Sequence, residues 1–182
     1  MKEKYVFDML KELSPFSSMY FFLIFGLACF LLAINLPIEN YPGVSFKARS
    51  VYGKHRLLFD ASFFVTLFMS TYILLRYKQC GLSTTLKREI RKNVQRADEK
   101  RQNDAGKSIK KGVAISYLFY ILMFLYMYAG PASNAPRYYE IYYGHIALAF
   151  GRVCFFHIIF MSALLLIVHC YEARQYIQQK YE

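Results

Sequence analysis

Residues Gly112 to Ala129 read GVAISYLFYILMFLYMYA, an uncharged run preceded by Lys110 and Lys111 and closed by Gly130 and Pro131. A helix needs about 20 apolar residues to cross the hydrocarbon of a bilayer. This run has that length, with cations at one end and turn residues at the other. Upstream, Leu57 to Leu75 (LLFDASFFVTLFMSTYILL) carries only Asp60 and is stopped by Arg76 and Lys78, and Ser17 to Leu36 (SSMYFFLIFGLACFLLAINL) carries no charge and is stopped by Pro37. Downstream, a fourth apolar run extends from about Tyr138 to Tyr171 and contains Arg152. At about 1.5 Å per residue it would form a helix of roughly 50 Å, so part of it should stand outside the hydrocarbon. Counting back about 20 residues from Tyr171 and Glu172 sets its membrane portion near 151–170 and leaves Tyr138 to Phe150 as an extension beyond the outer surface.

The expected fold is therefore all-α: an integral membrane protein with four transmembrane helices at about 17–36, 57–75, 112–129 and 151–170, forming one membrane domain over 1–182. The apolar residues run continuously instead of alternating, which excludes a transmembrane β-barrel. Composition agrees, with 56% of residues apolar and only 19% charged, more apolar surface than one soluble core of this length needs.

The net charge of +11 becomes informative once it is mapped onto the loops. The N-terminal tail, the loop 76–111 and the C-terminal tail together hold seventeen Lys and Arg, against five in the other two loops. That asymmetry predicts both termini and the basic loop on the inner side. The segment Met1 to Ser14 contains no Arg and includes Glu3, Asp8 and Glu12, unlike a matrix-targeting presequence. Its apolar Tyr5, Val6, Met9, Leu10 and Leu13 recur at helical spacing, predicting a short amphipathic helix lying in the membrane interface and ending at Ser14 and Pro15.

The loop 76–111 carries twelve basic and four acidic residues. From an N-cap at Ser83 or Thr84, the stretch STTLKREIRKNVQRADEKRQND reads as a helix with Leu86, Ile90, Val94 and Ala97 along a narrow stripe and Gly106 as its stop. So narrow a stripe does not fold alone, and the helix is expected to rest on headgroups or on a partner. Lys87, Arg88, Arg91, Lys92 and Arg96 are its candidate contacts with anionic lipids such as cardiolipin, or with a partner protein. Nucleic acid is disfavoured, since the cations are not interleaved with aromatics and no recognition motif is present.

Chemistry-bearing patterns are sparse. Cys29, Cys80, Cys154 and Cys170 are scattered, without disulfide or metal spacing. No span holds paired carboxylates, there is no phosphate loop, and no Ser or Cys stands beside a His with an orienting acid, so the chain reads as a non-enzyme. His145, His157 and His169 are spaced by twelve, which turns each by about 120° from the last and places the three on different faces. His157 and His169 are the weak candidates for holding a cofactor, and the simpler reading gives His157 a hydrogen bond to a neighbouring helix. The tyrosines at 138, 139, 142 and 143 read as an aromatic belt, with a binding platform as the alternative.

The segment LSPFSSMY, Leu13 to Tyr20, resembles the L-S-P-H-x-x-x-Y segment of the cytochrome b anchor subunit of succinate dehydrogenase. Phe16 stands where that family has histidine, and the residues after His169 read Ala173, Arg174, Gln175, Tyr176 where the family has Gly-Ile-Arg-His. The resemblance implies a haem- or quinone-binding membrane anchor, with His169 echoing the haem-ligand region.

Two structural features complete the reading. Gly144, Ala147, Gly151 and Cys154 repeat at three and four residues, a face that another helix can approach closely. Asp60 and Arg152 fall at nearly the same depth near the outer boundary and are expected to form an ion pair, the alternative being that each snorkels separately to water. The functional expectation is a non-catalytic accessory subunit of a larger membrane complex, with no resident cofactor. A mitochondrial inner-membrane respiratory-chain or ATP-synthase assembly is favoured over the endoplasmic reticulum. A haem or quinone anchor is one alternative, and a channel or transporter component, with Asp60, Asn35, Arg152 and His157 lining a path, is the other.

Overall fold

A computed structural model describes residues 3–14, 24–31, 41–100, 105–130, 132, 139 and 142–181. Its elements are α1 (Glu3–Leu13), α2 (24–31), α3 (Phe46–Arg49), α4 (Lys54–Cys80), α5 (Thr84–Lys100), α6 (Ala105–Phe124), a π-helical turn (Leu125–Ala129) and α7 (Ile146–Tyr181). No strand occurs among the described residues. Three helices are long and apolar enough to cross a membrane: Lys54–Cys80, Lys111–Ala129 and Ile146–Gln179. Of the expected first span only 24–31 is described, and it is helical; the rest of 17–36 lies outside the described residues.

The spans differ from expectation in where they end. Helix α4 runs past Arg76 and Lys78, which end the apolar run without ending the helix, and stops where Gly81 takes a left-handed φ of 66°. The Gly81 N–H donates to the Tyr77 carbonyl at 2.8 Å, closing the last turn. The surplus length of α7 lies at its C-terminal end. The helix starts at Ile146, so the expected outer extension from Tyr138 is not continuous helix, and it continues to Tyr181, ten residues beyond Tyr171. Gly106, expected to stop the basic helix, lies instead in the first turn of α6.

The chain divides into two compact units. The first comprises Met1–Ser18, Tyr72–Ile121 and Ser162–Glu182. Here Met9, Leu10 and Leu13 of α1 are fully buried. The end of α1 is fastened by Arg76 Nε donating to the Glu12 carbonyl at 3.0 Å and by the Ser83 N–H donating to a Glu12 carboxylate oxygen. Met9, Leu10 and Leu13 of the stripe expected to lie in the membrane interface are thus covered by the chain itself. Helix α5 starts as read, with the Ser83 carbonyl accepting the Lys87 N–H at 3.0 Å, and its Leu86, Ile90 and Val94 are buried. It docks on the C-terminal extension of α7 through Gln95 Nε2 to Tyr176 Oη at 2.7 Å and through the Arg91 guanidinium, 5.5 Å from the Tyr176 ring centre. Leu86, Ile90 and Val94 are thus buried within the first unit itself.

The second unit comprises Met19–Thr71 and Leu122–Met161. Its core is aromatic: Phe63, Phe124, Tyr128 and Phe160 interlock with ring centres 5.2 to 6.1 Å apart, the spacing of favourable edge and offset contacts. The π-helical turn, closed by the Gly130 N–H donating to the Leu125 carbonyl at 3.2 Å, buries Met127 and Tyr128.

Candidate functional surfaces

In the second unit Asp60 is buried in the second turn of α4 and anchors the preceding loop. One carboxylate oxygen accepts the Tyr41 hydroxyl at 2.7 Å and the Val44 N–H at 2.6 Å, and the other accepts the Ser45 N–H at 2.8 Å. Ser45 then caps α3 by accepting the Ala48 N–H at 3.2 Å. The loop can turn this tightly because Gly43 has φ +75°; a Cβ there would lie 3.0 Å from the Ala48 and Arg49 backbone. Arg56 ties the same loop from below, donating to the Val51 and Tyr41 carbonyls at 2.7 and 3.0 Å. Burial, reinforced by the Asp60 carboxylate, pushes the Tyr41 hydroxyl up to about 12.

Arg152 is not the partner of Asp60. It donates from Nη2 to the Tyr126 hydroxyl at 3.1 Å, and its guanidinium lies 4.8 Å from the Tyr142 ring centre and 5.2 Å from that of Phe156. Lys47, which sequence reasoning passed over as a loop cation, is buried beside the same tyrosines, 5.2 Å from Tyr142 and 5.9 Å from Tyr126. Burial, with the charge of Arg152, pushes the Lys47 ammonium down to about 8. The expected ion pair is replaced by two separate arrangements. Asp60 is satisfied by loop N–H and O–H groups, and Arg152 shares an aromatic cage with Lys47. Both reduce the cost of a charge out of water, through hydrogen bonds to the charged form and through ring faces.

His157 is buried, stacked on Phe25 at 3.5 Å between ring centres and 4° between planes. Its Nδ1 lies 3.2 Å from Thr66 Oγ1, which lies 3.4 Å from the Tyr128 hydroxyl. This is the hydrogen bond to a neighbouring helix that the simpler reading of His157 requires. His169 lies in the first unit, half-buried. Among the described residues no group of His, Cys, Asp or Glu could hold a metal ion.

The small-residue face is open at Ala147 and Gly151. Gly144 precedes α7, Ala147 and Gly151 are exposed, Cys154 is half-buried, and a Cβ added at Gly151 would meet nothing within 4 Å.

In the first unit Lys87 and Glu172 form an ion pair at 3.9 Å, and Tyr77 donates its hydroxyl to the same carboxylate oxygen at 2.9 Å. Arg88, Arg91, Lys92 and Arg96 project from α5 into solvent. Lys87, Arg88, Arg91 and Lys92 line a depression of about 620 Å³ with Thr84, Thr85 and Gln95 and no acidic residue. Four of the five candidate cations thus line one surface, with Arg96 exposed on the same helix. The Tyr77–Glu172 contact was missed because each residue reads alone as an ordinary end-of-span residue.

No known protein family matches the sequence, and no curated protein or solved structure is similar to it. The short resemblance at Leu13 to Tyr20 gains no support from a wider match, and residues 15–20 of it lie outside the described residues.

Proposed function

We propose that this protein is a non-catalytic subunit of a larger membrane assembly, crossing the bilayer four times with both termini and α5 on the inner side. The observation that carries the reading is the open face of α7 at Ala147 and Gly151. Small residues at helical spacing let two backbones approach closely, and in lipid such approach is a main source of helix association. The cation row of α5 suits the anionic inner leaflet and supports the orientation. Within this reading the mitochondrial inner membrane is the compartment favoured, in a respiratory-chain or ATP-synthase assembly.

Solubilisation in mild detergent, followed by native separation and mass spectrometry of the band containing the chain, tests the proposal. Co-migration with a fixed set of membrane subunits is expected. A folded chain that migrates alone from its native membrane overturns it, and a Soret band in the purified material would replace it with the haem-anchor reading.

A further inference from the structure

A second cavity in the first unit, about 530 Å³, opens between the end of α4, the first turn of α5, the middle of α6 at Tyr117 and the C-terminal half of α7. Its walls divide by chemistry. Leu74, Tyr117, Ile167 and Tyr171 supply apolar lining, whereas Lys78, one helical turn beyond Leu74 on α4, and Lys87 supply two ammonium groups. The facing acid is Glu172, whose oxygen already accepts from Tyr77 and lies 3.9 Å from Lys87 Nζ, beyond hydrogen-bond distance. Among the described lining residues two ammonium groups thus stand against one largely satisfied carboxylate, a net positive charge. Lys87 Nζ lies close against Gly81, where a Cβ would stand 3.3 Å from it. The apolar side continues into exposed membrane-type surface, since Leu74, Tyr117 and Tyr171 are all substantially exposed.

An apolar slot open to the hydrocarbon with cations at its headgroup end fits an amphiphile carrying negative charge. We propose that this cleft binds one anionic phospholipid, its phosphate between Lys78 and Lys87 and an acyl chain along Leu74, Tyr117 and Ile167. The proposal rests on the inner-side placement of α5 argued above and names the lipid contact of that same surface.

The test uses the full chain reconstituted in phosphatidylcholine vesicles doped with phosphatidylglycerol bearing a photoreactive acyl chain. Cross-linked peptides are mapped by mass spectrometry and displaced with unlabelled lipid. Adducts should fall on the cleft segments of α6 and α7. Lys78→Gln and Lys87→Gln should each weaken displacement by unlabelled phosphatidylglycerol about fivefold, and together about thirtyfold. Glu172→Gln should strengthen it, an effect opposite to that of structural damage. Equal labelling by a phosphatidylcholine probe, or indifference to both lysine changes, overturns the proposal. Displacement by glycerol phosphate as effective as by the lipid would show a site for free phosphate and also overturn it. Sidedness is read separately, by labelling Arg88→Cys in a cysteine-free chain with an impermeant maleimide in sealed native vesicles. Labelling from the outer side removes the topology on which the site depends, whereas labelling from the inner side with no lipid selectivity removes only the site.

Discussion

Both oxygens of Asp60 serve the polypeptide that leads into its own helix, and the consequences of mutating it follow from that. Asp60→Asn keeps the shape but removes the charge and turns one acceptor into a donor facing an N–H or O–H group. A loss of about 1.5–3 kcal/mol of stability is expected, the range for hydrogen bonds to a charged group, read as a lowered Tm in detergent. Arg152→Gln should destabilise by a separate route, through the Tyr126 and Tyr142 contacts. The double variant should therefore lose the sum of the two within about 0.5 kcal/mol; a clearly smaller loss would restore a direct coupling between them. Lys47 gives a pH dependence. Its folded-state pKa lies near 8, below the ordinary 10.5. Between those values the unfolded chain binds more protons, so stability should rise as pH increases from about 8. Tyr41, raised from 10 to about 12, acts in the opposite sense above about pH 10. The Tm should thus climb between about pH 8 and pH 10, and Lys47→Met should flatten that climb. At this scale the sequence singled out Asp60 and Arg152 but not their partners. Those of Asp60 include two backbone N–H groups, which leave no side-chain signature, and those of Arg152 are rings that are common everywhere in this chain.

For the elements, α5 separates two roles that its periodicity makes visible. The buried stripe of Leu86, Ile90 and Val94 holds the helix to its own unit, helped by Arg91 on the Tyr176 ring, while Arg88, Lys92 and Arg96 are exposed. Ile90→Ala should cost about 2–5 kcal/mol through loss of buried volume, measured as thermal stability in detergent. Reversing Arg88, Lys92 and Arg96 to Glu should leave the helical signal intact and weaken binding to vesicles containing anionic lipid, with a difference that shrinks as salt is added. An equal loss of fold in both variants would show that the cations are structural. The stripe and its N-cap were legible in the sequence because capping and the 3.6-residue period are local. What covers the stripe was not, since it depends on α7 continuing to Tyr181 through a polar tail with no membrane signal. The π-helical turn at Leu125–Ala129 was equally hidden, because its residues are as apolar as those of the α-helix before it.

For the whole molecule, the reading as a subunit comes down to what happens when the open face of α7 is filled. Gly151 is exposed, and a Cβ there meets nothing within 4 Å. Leucine is a better helix former than glycine by about 0.8–1 kcal/mol. Gly151→Leu should therefore leave the isolated chain as stable as before, or slightly more so. A side chain of that size can do harm only if another helix occupies the face, because it would hold the two backbones apart. The expected outcome is divided: an unchanged or raised Tm for the purified chain, and loss of the large species on native gels of solubilised membranes. Gly151→Ala, adding a single methyl, should retain most of the assembly. If Gly151→Leu lowers the Tm of the isolated chain, the face is packed within the chain after all. If neither quantity moves, it faces lipid, and the assembly contacts must be sought elsewhere, first on the exposed apolar side of α6 at Leu118 and Leu122.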